Sequence, residues 1–164
     1  MRIELEPIGY VSSSRIDALD DRWDRETAVI QLLPEYGAES VLGLTGFSHI
    51  EVLYHFNGVD PSRVVKGARH PRGNGAWPLT GIFAQRGRNR PNRLGTTLCR
   101  LLKVEEAKLF VFGLDAIDGT PVVDIKPVMK EFLPRGPVMQ PAWSKELMRE
   151  YWNEADVPEA GLSE

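Results

Sequence analysis

The chain has 164 residues, of which 42% are hydrophobic and 26% charged, with a formal net charge of −3 at pH 7. That length suits one domain with a proper core, and no apolar run approaches the ~20 residues needed to span a bilayer. Cys99 stands alone, so an internal disulfide and a Cys/His zinc site are both excluded, and the acidic opening from Met1 to Pro7 is unlike a signal peptide; a metal-free cytoplasmic protein with no membrane contact is expected.

Short β-like runs follow one another along the chain. Ile3 to Val11, interrupted by Pro7 and Gly9, is expected as an edge strand or two short pieces. Glu26 to Leu33 predicts a strand, after which Pro34 and Glu35 open a short helical turn that Gly43 ends. Phe47 to Phe56 is rich in aromatic and branched residues and predicts a half-buried strand. Its alternation places His49, Glu51, Leu53 and His55 on one face and Ser48, Ile50, Val52, Tyr54 and Phe56 on the other.

Gly67 to Gly75 is expected as a loop, and Gly81 to Gln85 as a strand entering a second loop. Leu94 to Val104 and Lys108 to Phe112 predict two more strands, Ile117 to Pro121 a turn, and Val122 to Ile125 a final apolar strand. Trp143, Leu147, Tyr151 and Trp152 then fall at helical spacing behind Ser144 as N-cap, and the last dozen residues are expected to fray. Many short strands with few helical stretches favour a closed or nearly closed sheet over a parallel α/β sheet.

The charge is segregated. From Pro61 to Val104 there are ten Lys or Arg residues and no Asp or Glu, which leaves ten basic and 23 acidic residues elsewhere. Such a pattern suits a surface built to meet phosphates, although a basic loop packed on the protein's own acids would look the same.

Within that stretch, Gly81 to Gly95 carries Arg86, Arg88, Arg90 and Arg93 in a loop held by glycines and a proline. Each guanidinium offers a planar fork of donors to phosphate or carboxylate, and Asn92 offers a donor and an acceptor to a base or sugar. A second motif, Leu114-Asp115-Ala116-Ile117-Asp118-Gly119-Thr120-Pro121-Val122-Val123-Asp124-Ile125-Lys126-Pro127, puts Val122, Asp124 and Lys126 on one strand face, with Asp124 and Lys126 a natural ion pair and Val123 and Ile125 toward the core. His49 shares a face with Glu51 and is a candidate proton acceptor, though a strand histidine is more often structural. Gly73-Asn74-Gly75 has no helix after it and carries no dinucleotide signal.

These two motifs, together with Phe47-Ser48-His49-Ile50-Glu51, resemble the TsaA-like (YaeB, TrmO) family over about residues 5 to 140. The resemblance implies an all-β dominated fold: a single compact β-barrel with a few short helices over residues 1–140, followed by a C-terminal helix and tail over residues 141–164. It implies S-adenosylmethionine as methyl donor, the exocyclic nitrogen of threonylcarbamoyl-adenosine in tRNA as acceptor, and a homodimer with the cofactor near the subunit interface.

Carried onto matching positions, the resemblance makes Arg86 the foremost cofactor contact. Leu114, Asp115, Ala116, Ile117 and Asp118 would hold the adenosine part, and Leu94, Thr96 and Asn57 would complete the pocket. Arg88, Arg90, Asn92, Arg93 and Lys126 are the candidate substrate-binding residues, and Asp118 and His49 the candidate catalytic bases. Three positions depart from the family pattern. Trp23-Asp24-Arg25 stands where many members carry Arg-Gln-Pro, Arg93 where a proline is frequent, and Val128 where a tyrosine is frequent. The rival expectations are a non-catalytic module that binds RNA or a nucleotide, and a methyltransferase with a small-molecule acceptor.

Overall fold

The computed structural model describes residues 1–152. Alternation builds its walls. In β3 (His49–His55) Ile50, Val52 and Tyr54 are buried and His49 is exposed, as a period of two requires. The same rule buries Ala28, Ile30 and Leu32 in β2 (Thr27–Leu32), and Leu109 and Val111 in β7 (Lys108–Phe112). With β1 (Gly9–Ser13), β6 (Leu94–Glu105) and β8 (Pro121–Pro127), these strands form a closed antiparallel barrel in the order β1-β2-β7-β6-β3-β8. Pairing of Gly9 with Val122 closes the ring, which leaves no unpaired edge within it. Beside it, β4 (Ala68–Arg69) and β5 (Thr80–Gly81) make a small two-stranded sheet. A few 3₁₀ turns and one short helix, α1 (Ala142–Leu147), complete the all-β dominated fold. Among the described residues no helix is long and apolar enough to cross a membrane.

Several details differ from the sequence reading. The first strand starts only at Gly9, because Pro7 has no N–H to give the ladder. The helical turn expected at Pro34 opens instead at Ala38. The strand expected over Gly81 to Gln85 ends at Gly81, the last residue of β5: Ile82–Ala84 is a 3₁₀ turn, pinned where Ile82 N donates to Gly67 O at 2.9 Å. In β8 the register slips, so that Tyr54 faces Val122 while Leu53 faces Asp124. This bulge reverses the expected facing of Val122, which is fully buried, whereas Ile125 stays against the core as expected. Ser144 is not the N-cap. Pro141 holds that position, and the Ser144 hydroxyl donates to Pro141 O at 2.9 Å. The tail expected to fray lies outside the described residues.

Two glycines mark close approaches. A Cβ on Gly95 would meet the Tyr54 ring at 2.4 Å, so the missing side chain is what lets that ring lie across β6. A Cβ on Gly9 would meet the backbone oxygen Gln31 O at 2.5 Å, an atom the paired β2 strand cannot withdraw. Cys99 is 2% exposed, and burial pushes its thiol up to about 12, which leaves it an inert packing residue. Gly9→Ala is therefore expected to cost about 1–3 kcal/mol through overpacking, read as a lower urea midpoint; an unchanged midpoint would refute the close approach.

Candidate functional site

A cleft of about 2180 Å³ opens beside the barrel. Its walls are the end of β3 and the loop after it, the arginine loop that leads into β6, the turn after β7, and the segment from β8 to Trp152. In the turn after β7, Leu114 and Ala116 are buried at 1% and 4% exposure. They act as anchors, and Asp115, Ala116 and Ile117 line the cleft.

The Asp115 carboxylate is held by hydroxyls. Tyr54 donates to its Oδ1 at 2.5 Å and to its backbone oxygen at 3.1 Å. Thr97 also donates to Oδ1, and Tyr151 donates to Oδ2 from the chain beyond α1. Asp115 takes part in none of the ion pairs among the described residues. Burial, and then the negative charge of Asp115, push the Tyr54 and Tyr151 hydroxyls well above the ordinary phenol range, so both remain protonated donors. Arg86 acts on Tyr151 in the opposite direction, which places a positive charge near the same hydroxyl.

The arginines are braced rather than neutralised. Arg86 donates to Thr96 O at 2.8 Å, Arg88 to Ala18 O at 2.9 Å, Arg90 to Gln85 O at 2.9 Å and Arg93 to Val59 O at 2.8 Å. None of these four joins an ion pair among the described residues, whereas Arg72, in the same basic stretch, meets Asp21 at 2.7 Å. The guanidiniums thus keep donors free for an incoming anion.

Of the residues singled out from sequence, Asn57, Arg86, Arg88, Arg90, Asn92, Leu94, Thr96, Asp115, Ala116, Ile117 and Lys126 all line the cleft. Thr96 donates to Glu51 Oε1 at 2.9 Å, and Lys126 pairs with Asp124 as expected. Four others lie elsewhere. Leu114 belongs to the core. Arg93 is a brace between two loops. Asp118 is exposed in its turn, where Oδ1 accepts from Ser13 N at 3.0 Å. His49 is largely exposed, with Nδ1 2.8 Å from Ser48 Oγ, and partial desolvation on the barrel wall and then the facing Arg100 lower its pKa. Neither candidate base is brought to the cleft; Asp115 and Glu51 are carboxylates that do line it.

Sequence reasoning passed over Tyr54, Thr97 and Tyr151. Alternation put Tyr54 on one face with Ile50 and Val52, but its hydrogen-bond partner lies 61 residues away along the chain. For Tyr151 only helical spacing was visible, which says nothing of a cleft. Asn92 and Arg93 adopt φ of 63° and 52°, both left-handed. A proline at 93 could not, since its ring locks φ near −65°. The loop here therefore has a conformation that the frequent family proline forbids.

Residues 20–132 match the family model described as the tRNA-methyltransferase O N-terminal domain. The chain belongs to this family. It is 41% identical to a human tRNA (adenine(37)-N6)-methyltransferase over 102 residues, or 62% of this chain and 23% of that protein. It is also 41% identical to a probable S-adenosyl-L-methionine-binding protein of Methanothermobacter thermautotrophicus, over 80% of this chain and 93% of that one. A crystal structure of TrmO from Pseudomonas aeruginosa superposes with a TM-score of 0.68 at 29% identity, covering 85% of this chain and 61% of that one. The chain thus spans about a quarter of its human relative and about three fifths of the TrmO chain.

If the hydroxyl shell holds Asp115, Tyr54→Phe should keep the barrel but lower stability by about 1–3 kcal/mol, the cost of an under-satisfied, partly buried acceptor. Urea unfolding would measure it, and a wild-type midpoint would show that the hydroxyl is dispensable.

Proposed function

We propose that the chain is an S-adenosylmethionine-dependent methyltransferase whose acceptor is the exocyclic nitrogen of threonylcarbamoyl-adenosine next to the anticodon of tRNA. The observation that carries this reading is the pairing, within one cleft, of a hydroxyl-held carboxylate, Asp115, with a guanidinium, Arg86, which it does not neutralise. The cofactor joins an adenosine to a cationic sulfonium and an amino acid, so its site needs polar edges and charges of both signs. Asp115, Ala116 and Ile117 with Arg86, Leu94, Thr96 and Asn57 supply that set, and the residues therefore fit the group. When bound, it supplies an electrophilic methyl group.

The chain's own task is to position and to bind charge. Asp115 already accepts from three hydroxyls, which fix its carboxylate in place and suit it to hold positive charge. Arg88, Arg90, Asn92 and Lys126 face the same space and offer donors to RNA phosphate or to the threonyl carboxylate. Holding both reactants at one mouth removes much of the entropic barrier to transfer. A second copy of the chain and a cytoplasmic location belong to the same reading. Exposed apolar residues beside the cleft, among them Leu98, Phe132 and Met139, support the second copy.

Transfer of labelled methyl from S-adenosylmethionine to bulk tRNA, with and without the threonylcarbamoyl group, tests the reaction. Label on modified tRNA alone is expected; cofactor binding with neither tRNA labelled would point to another acceptor. Arg86→Ala is expected to weaken S-adenosylmethionine binding by about tenfold or more in calorimetry, the worth of a charged hydrogen bond. Unaltered affinity would remove Arg86 from the cofactor site.

A further inference from the structure

One side chain on the cleft rim is not used by the assignments above. Phe83 is 78% exposed, yet it is not on a loose loop. Its neighbour Ile82 is 1% exposed and Gln85, two residues on, is 8% exposed. The Gln85 side-chain amide donates to Thr80 O at 2.7 Å and to Arg69 O at 3.0 Å, and Gln85 N closes the turn on Ile82 O at 3.2 Å. The phenyl ring between these anchors is thereby displayed outward and lines the cleft. A single exposed apolar residue needs no explanation. A ring held out on a pinned turn, followed at once by Arg86 and Arg88 with no acidic partner among the described residues, does.

An exposed aromatic flanked by cations is the arrangement by which proteins hold unpaired nucleotides: the ring takes a base face and the cations take the neighbouring phosphates. We infer that Phe83 is a stacking platform for an unpaired base of the RNA substrate, with Arg88 holding the phosphate beside it. The inference rests on the tRNA reading and adds that the substrate is met as a single-stranded loop. It also assigns the recognition to a residue outside the cofactor contacts. A charged carboxylate substrate would need the arginines but not the ring.

Fluorescence anisotropy of a labelled anticodon stem–loop RNA would test it on the full chain, with S-adenosylmethionine affinity by calorimetry and sedimentation as companion measurements. Phe83→Ala is expected to weaken RNA binding roughly 5- to 150-fold while leaving cofactor affinity and sedimentation unchanged. Phe83→Leu should be as weak as Phe83→Ala, because it keeps apolar bulk but has no ring face, and Phe83→Trp should restore binding. Full RNA affinity in Phe83→Ala, or rescue by leucine, would overturn the inference alone. A changed sedimentation would instead assign the ring to contact with a second copy, and lost cofactor affinity would assign it to the cofactor's adenine; either overturns it. RNA binding absent from the wild type would overturn the tRNA reading as well.

Discussion

Much of this molecule depends on how one carboxylate is satisfied without a cation. Asp115 sits at the barrel mouth and accepts from hydroxyls on β3, β6 and the C-terminal segment. Removing a carboxylate from water is costly, and here three donors offset that cost in place of a counter-charge. Each donor brings its own requirement. Tyr54 reaches Asp115 from the barrel interior only because Gly95 leaves room for its ring, which also meets Phe56 edge-on at 5.4 Å. Tyr151 reaches it because Trp23 N and Arg22 N donate to the backbone oxygens of Tyr151 and Glu150. Barrel wall, N-terminal loop and C-terminal segment are thereby tied to one point in the cleft.

Around that negative point the chain places positive charge of a particular kind. The arginines of the 86–93 loop are fixed by carbonyl oxygens of β6, of their own loop and of neighbouring loops. A carbonyl orients a guanidinium without neutralising it, so the field of the charge remains available to a ligand. Acidic residues do serve elsewhere as internal partners. Arg72 with Asp21, and Arg15 with Glu26 at 3.7 Å and over the Trp23 ring at 3.6 Å, hold the N-terminal loop in place. The chain's overall net charge of −3 thus conceals a local cationic rim.

The family's barrel is present in this chain, and two segments beside it depart from the frequent family residues. The left-handed backbone at Arg93 and the Trp23-Asp24-Arg25 segment both lie where the frequent family residues differ. Both also touch the walls of the cleft: Trp23 lines it, and Arg93 ties the loop after β3 to the one before β6. Both positions lie outside β6, the strand that carries Thr97, and outside the turn that carries Asp115.

Strand identity was legible in the sequence wherever a period of two ran uninterrupted. Lys108 to Phe112 needed no adjustment, and alternation grouped Ile50, Val52 and Tyr54 on one face, which the structure turns inward. The cleft's arginines and the Leu114 to Asp118 turn were legible as motifs, because clustered guanidiniums and a Gly-Thr-Pro turn have local chemical meaning. What alternation cannot convey is a break in its own period, so the bulge in β8 moved Val122 inward against expectation. Local pattern also cannot tell which polar groups meet across the fold. Whether Asp118 or Asp115 faced the cleft was decided by barrel closure, and the hydrogen bond from Tyr151 to Asp115, 36 residues distant, by the docking of the C-terminal segment on Arg22 and Trp23. Closure brings the ends of β3, β6 and β7 together, and that proximity is set by strand pairing rather than by any neighbour in the chain.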